Sequence, residues 1–114
     1  MTKIIKLDFG GFSLSAELFD TSPARAFAAH LPYTVALTQW GGELYGSIGV
    51  SLAEEAPVAD IPAGGLAYTG RGNLFCVFFG QTPAWPVEYI GRIPDDQWPL
   101  LIDASPLEQV VISF

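Results

Sequence analysis

The feature that most constrains the fold is the segment at residues 12–18, where apolar and polar side chains alternate without a break. Because successive side chains of a β-strand point to opposite faces, this period of two predicts a strand with one buried and one solvated face. Phe12, Leu14 and Leu18 should therefore point into the core together. Gly10-Gly11 stands just before this segment and supplies a hairpin turn from a first strand at residues 3–9.

Glycine and proline divide the rest of the chain into further short elements. The run at residues 74–79 is apolar on both faces, which is typical of a strand covered on both sides. Residues 44–62 are interrupted too often for a long element to be predicted there. Apolar and β-branched runs predict strands over five segments, at residues 33–40, 64–70, 74–79, 87–93 and 110–114.

Residues 22–30 carry the best helix signal in the sequence. Thr21 or Ser22 can cap the first turn, and Pro23 suits the beginning of a helix. Pro32 prevents its continuation, because a proline disfavours α geometry in the residue before it.

A mainly β protein of one domain, residues 1–114, follows from these patterns. The prediction is seven or eight short strands with one or two short helices, the second being a single turn at residues 95–98 halted by Pro99. A closed or nearly closed antiparallel barrel is the natural arrangement, because closure hides the edges of so many strands.

The charge balance limits the classes of partner. With 5 basic and 12 acidic residues the net charge is −7, and a domain this acidic repels phosphate backbones, so we expect no nucleic-acid partner. Neither a membrane-spanning apolar run nor a signal-peptide pattern is present, so we expect no membrane association and a cytoplasmic location. The one cysteine cannot form an internal disulfide, which fits a reducing compartment.

The sequence carries no self-sufficient catalytic or metal signature. His30, the one histidine, ends the predicted helix, where its protonated form favours the helix dipole. Cys76 lies in the most apolar strand and is predicted to be an unreactive core residue, because a reactive thiolate needs electropositive surroundings and exposure. One histidine, one cysteine and scattered carboxylates do not make a zinc site. We therefore expect no metal, no cofactor and no catalytic residue.

Four short stretches carry a family resemblance. They are GNLFCVFFGQTP at residues 72–83, IGRI at residues 90–93, Leu31-Pro32, and GGELY at residues 41–45. Together they resemble the small cyclophilin-like proteins of bacteria and archaea, and the resemblance extends from the first hairpin to the last strand. It implies a cyclophilin-type β-barrel and implies no established activity.

Prolyl isomerisation, the activity of true cyclophilins, is the alternative function. Residues 39–43 (QWGGE) are similar to the cyclophilin stretch in which a substrate-binding glutamine precedes two glycines and an acid, although Trp40 is inserted here. The resemblance would place the catalytic arginine near Leu31–Tyr33, where there is none. That arginine donates hydrogen bonds to the substrate amide as its double-bond character falls, against a barrier of roughly 20 kcal/mol. His30 also comes too early in the chain, so we expect no useful isomerase activity.

Large amphipathic rings are the feature that exceeds the needs of a small barrel. Five of them lie at predicted strand ends or in loops, beside glycine or proline, and these are Trp40, Tyr45, Tyr68, Trp85 and Trp98. Such residues are enriched where peptides dock and where subunits meet. We therefore predict a non-enzymatic binding module for a small molecule or peptide, with a homodimer interface as the other use of such a surface.

The predicted ligand site is a shallow pocket on the barrel rim formed by Gln39, Tyr45, Tyr68 and Arg92. Arg92 would supply a fixed hydrogen-bond fork, and the two tyrosines would supply flat contact area. The alternative for Arg92, and for Arg71, is a simple pairing with a nearby carboxylate.

Overall fold

The computed structural model describes residues 2–104 and 107–114. This part of the chain forms nine strands and two helices. In chain order they are β1 (Lys3–Asp8), β2 (Ser13–Leu18), α1 (Ser22–Ala29), β3 (Tyr33–Ala36), β4 (Thr38–Trp40), β5 (Glu43–Ser47), β6 (Gly65–Thr69), β7 (Leu74–Phe78), β8 (Glu88–Arg92), α2 (Leu100–Asp103) and β9 (Gln109–Ser113). Neither of these helices is long and apolar enough to cross a membrane.

The nine strands form one antiparallel sheet in the order β3-β9-β1-β2-β8-β6-β7-β5-β4. The sheet curls until β5 approaches β3. Gly46 lies at this approach, where an added Cβ would overlap the carbonyl oxygen of Ala36. Glycine is therefore required there by a close backbone contact. The predicted antiparallel, nearly closed barrel is confirmed.

The barrel interior is apolar, and helix α1 packs against β2 and β8. Leu14 and Leu18 are buried inside, as the alternation predicts, and Phe12 is half-buried against them. The Phe27 ring of α1 is fully buried and stacks at 5.5 Å on Phe75 of β7. The helix begins as predicted, since the Thr21 hydroxyl accepts a hydrogen bond from the backbone N–H of Ala24.

Two local predictions are corrected by the structure. The single strand predicted at residues 33–40 is divided into β3 and β4, because β3 pairs with β9 whereas β4 pairs with β5. Residues 95–98 form turns, and the helix α2 follows Pro99 instead of ending there. A proline suits the start of a helix, where its missing N–H needs no partner.

A second and smaller apolar cluster lies outside the barrel. Interior residues of β6 and β7 alternate with Ala67, Cys76 and Phe78, so these three side chains are on the opposite, outer face. The loop residues Ile61 and Val87 pack over them. The outer face is therefore covered in part by apolar loops, and the candidate site lies there.

Candidate functional site

The register of β5 and β7 brings four outer-face side chains together. Glu43 is directly opposite Phe78, and Tyr45 is directly opposite Cys76. Because Glu43 and Tyr45 are two residues apart, as are Cys76 and Phe78, all four point to the same face. This group forms the floor of the outer-face pocket.

The outer-face pocket has a volume of about 300 Å³. Trp40 reaches it from β4, where its strand partner is Glu43, and the segment at residues 83–87 forms the opposite wall. Apart from one carboxyl, one thiol, two hydroxyls and two indole N–H groups, the side chains of its lining are apolar. The lining residues are Trp40, Glu43, Tyr45, Thr69, Leu74, Cys76, Phe78, Pro83, Ala84, Trp85 and Val87.

Two contacts fix the Trp85 ring in the pocket wall. Its indole N–H donates a 2.9 Å hydrogen bond to the hydroxyl of Thr69, which is the last residue of β6 and is buried. The Arg71 guanidinium lies 4.7 Å from the centroid of the Trp85 ring, which is cation–π distance. Trp85 is therefore held from both its edge and one face.

A glycine turn holds the chain that leads into this wall. The backbone N–H of Gly42 donates a 2.9 Å hydrogen bond to the side-chain carbonyl of Gln81, and the N–H of Phe79 donates to the Gly42 carbonyl at 2.8 Å. A Cβ at Gly42 would overlap the backbone of Gly80. The turn between β4 and β5 therefore requires glycine so that residues 79–81 can pass close to it.

Glu43 and Cys76 give the pocket floor its chemistry. The Glu43 side chain is buried, with 7% exposure, and this burial raises the pKa of its carboxyl, an effect that a hydrogen bond with the Cys76 thiol partly offsets. Burial likewise raises the pKa of the Cys76 thiol, and the adjacent Glu43 charge adds to the increase. The thiol therefore stays protonated and acts as a donor toward the carboxyl.

The described residues do not include a cluster of three or more His, Cys, Asp or Glu side chains placed to hold a metal ion. His30 is at the end of α1, exposed, with its Nδ1 2.9 Å from the carbonyl oxygen of Ala26. This contact agrees with the structural role predicted for the histidine.

A family model described as cyclophilin-like matches residues 3–113. The chain belongs to the cyclophilin-like family. Its barrel is similar to that of a hypothetical protein from Archaeoglobus fulgidus, with 27% sequence identity, a TM-score of 0.77, and coverage of 96% of this chain and 92% of that chain. A comparison with curated proteins gave no match.

The cyclophilin-like barrel is also similar to McbB, whose structure was determined in complex with tryptophan. The TM-score is 0.69, and the alignment covers 99% of this chain and 44% of that chain. At 15% sequence identity, this likeness concerns the fold alone.

The four residues predicted as a ligand site do not meet at one cavity in this cyclophilin-like barrel. Tyr45 lines the outer-face pocket. Tyr68 is fully buried inside the barrel, where its hydroxyl donates to Asn73 at 2.8 Å and accepts from the N–H of Leu52 at 2.9 Å. The expectation of a shared cavity is therefore wrong for Tyr68, because alternation along β6 turns Thr69, and not Tyr68, to the pocket.

Gln39 and Arg92 also lie away from the pocket. Gln39 is exposed, and its side-chain amide donates to the carbonyl of Gly41 at 3.2 Å. Arg92 is paired in register with Gly65, which is four residues, or about 13 Å, along β6 from Thr69. Its guanidinium lies 3.9 Å from the Asp95 carboxylate, the carboxylate pairing that was the alternative for this arginine.

Sequence reasoning missed Glu43, Thr69 and Cys76 as pocket residues, and it singled out Trp40 and Trp85 as binding-surface rings without placing them in the predicted pocket. Three of the five singled-out rings do converge, namely Trp40, Tyr45 and Trp85. The spacing of Glu43 and Tyr45, and of Cys76 and Phe78, was the available signal, because side chains two apart share a strand face. Using it required knowing that these two strands pair.

Proposed function

We propose that the outer-face pocket binds a small, largely apolar molecule or one side chain of a peptide, and that the protein works as a binding module. A volume of about 300 Å³ lies at the lower end of the range for small-molecule sites. An apolar lining with a few oriented polar groups is also the usual composition of such sites.

The observation that carries the proposal is the convergence of three aromatic rings from separate parts of the chain. Trp40 comes from β4, Tyr45 from β5, and Trp85 from the loop before β8. Trp40 remains 53% exposed. A large ring that is left in water beside an apolar concavity favours burial by a ligand, because that burial removes apolar surface from water.

The state of the thiol favours binding over nucleophilic catalysis. A nucleophilic cysteine has a lowered pKa and an electropositive environment, whereas burial and the Glu43 charge raise the pKa of Cys76. Prolyl isomerisation has no support from the pocket either, since the described lining contains no arginine to stabilise the twisted amide.

A blocking substitution tests the proposal. Ala84 is an exposed residue of the pocket lining, so Ala84→Trp should fill the entrance without disturbing the barrel. Ala53 is exposed and outside the lining, so Ala53→Trp is the matched control. Ligand-observed NMR with 2-phenylethanol should show binding, with a dissociation constant on the order of 1 mM, to the wild type and to Ala53→Trp.

The same experiment should show loss of binding in Ala84→Trp. Absence of any binding to the wild type, or unchanged binding to Ala84→Trp, would contradict the proposed function.

A further inference from the structure

Among the residues that the structure describes, the Glu43 carboxyl at the floor of the outer-face pocket has no cationic partner. It forms no ion pair with any lysine or arginine in the part of the chain that the structure describes, and its hydrogen-bonding neighbour is the Cys76 thiol. A carboxylate that is buried without a cation is unfavourable, because the lost hydration is not replaced. An incoming cation would supply the missing partner.

Two aromatic rings flank this carboxyl and are available to a ligand. Trp40 is the direct strand partner of Glu43 on β4, and Tyr45 is two residues along β5 on the same face. Aromatic faces attract cations within about 6 Å of the ring centroid. Arg71 already occupies one face of Trp85, so we assign the ligand's cation to Trp40 and Tyr45 and its apolar part to Trp85.

We propose that the pocket recognises a protonated amine that carries an apolar or aromatic group. The ammonium would donate to the Glu43 carboxylate beside Trp40 and Tyr45, and the apolar group would lie against Trp85 and Phe78. This inference rests on the proposed function, since it names the ligand class of the same pocket. The net charge of −7 further favours a cation over an anion through the field of the whole protein.

The charged and titratable groups around the site make amine binding depend on pH. The titratable side chains of the lining are Glu43, Tyr45 and Cys76, and Arg71 lies on the Trp85 ring. Burial raises the pKa of Glu43 above its ordinary value of 4.5. The affinity for an amine should therefore rise with pH above 4.5 as the carboxylate forms, for as long as the amine stays protonated.

Three probes of similar size test the ligand class. 2-Phenylethylamine, 2-phenylethanol and 3-phenylpropionate carry a positive, a neutral and a negative head on the same ring. Their affinities would be measured by NMR titration of the wild type and of Glu43→Gln near neutral pH. The wild type should bind the amine about tenfold more tightly than the alcohol, as expected for a hydrogen bond to a charged group, and the propionate most weakly.

In Glu43→Gln the affinity for the amine should fall about tenfold, while the affinity for the alcohol stays unchanged. Equal affinity of the wild type for amine and alcohol would overturn the amine inference and leave the proposed function standing. Failure of all three probes to bind would remove the proposed function itself. Should Glu43→Gln not fold, the wild type decides: an amine affinity that does not rise with pH would overturn the inference.

Discussion

The two faces of β5 and β7 make a direct comparison, because neighbouring residues of the same strands serve opposite environments. On the inner face, Leu44 and Val77 are fully buried in the apolar core of the barrel. On the outer face, Glu43 and Tyr45 line a pocket. The Glu43 carboxyl has no ion pair within residues 2–104 and 107–114, and the Tyr45 ring is half-buried.

This difference shows how a small barrel can keep stability and recognition apart. The inner face is closed and takes no part in the proposed ligand binding. On the outer face, loops cover only part of the apolar surface. Because side chains alternate, a substitution on one face leaves the other face in place.

The largest difference in the loss of stability is expected between substitutions of two neighbouring residues of β5. Leu44→Ala should lower the free energy of unfolding by about 2–5 kcal/mol, because it leaves a cavity in the barrel core. Tyr45→Ala, on the half-buried outer face, should cost only about 1 kcal/mol. Chemical denaturation measures both, and equal losses would break the comparison between the two faces.

Cys76 provides a sharper comparison within the pocket. Cys76→Ala removes the hydrogen-bonding neighbour of the buried Glu43 carboxyl and should cost about 1–3 kcal/mol near neutral pH. Cys76→Ser keeps a donor at this position and should cost less. Denaturation curves of the two variants test this, and a serine variant no more stable than the alanine variant would contradict the proposed role of the thiol.

The burial of Cys76 also predicts how its thiol reacts. Since Cys76 is 2% exposed and burial raises its pKa, the native protein should not react with a thiol reagent, whereas the unfolded protein should. Rapid labelling of the native protein would show that the outer-face cluster is open.

A smaller loss of stability is expected when the hydroxyl that holds the Trp85 ring is removed. Thr69→Val removes the acceptor of two hydrogen bonds, one from the Trp85 indole N–H and one from the backbone N–H of Arg71, and should cost about 0.5–1.5 kcal/mol for each. Thr38→Val, at an exposed position of β4, is the matched control and should cost less. Unfolding measurements on both variants decide whether the pocket wall is held as the structure indicates.

The pH dependence of the free energy of unfolding tests the effect of burial on the Glu43 carboxyl. Because its folded pKa is above the ordinary value of 4.5, the folded state retains the proton longer than the unfolded state does. Its contribution to stability therefore falls as pH rises from 4.5 to the folded pKa. In Glu43→Gln this fall should be absent, so the variant should gain stability relative to the wild type over that range. The exposed Glu108→Gln is the control, and a curve for Glu43→Gln parallel to the wild type would contradict the assignment.

The sequence predicts the local parts of this fold better than the paired parts. The first hairpin and α1 have signals within a few residues, in the alternation after Gly10-Gly11 and in the cap at Thr21. Strand β5 was missed because Gly46 interrupts its pattern. That glycine is explained by the approach of β3, which no local signal reveals.

The candidate site follows the same rule. Gln39 and Tyr68 were predicted as pocket residues, whereas their neighbours Trp40 and Thr69 line the pocket. Which residue of such a pair faces the pocket depends on strand pairing between distant segments, such as Glu43 with Phe78. A shift of one residue exchanges the two faces, so residue types alone could indicate a binding surface but not its members.

The indole N–H signals of the three tryptophans test the central claim most directly. Trp40 and Trp85 line the outer-face pocket, whereas Trp98 packs against the barrel core and donates to Asp95 at 3.3 Å. In a two-dimensional ¹H–¹⁵N NMR titration with 2-phenylethylamine, the Trp40 and Trp85 signals should shift together and saturate while the Trp98 signal stays in place. Shifts at Trp98 without shifts at Trp40 and Trp85, or no saturable shift with this amine or with the other two probes, would contradict a binding site on the outer face.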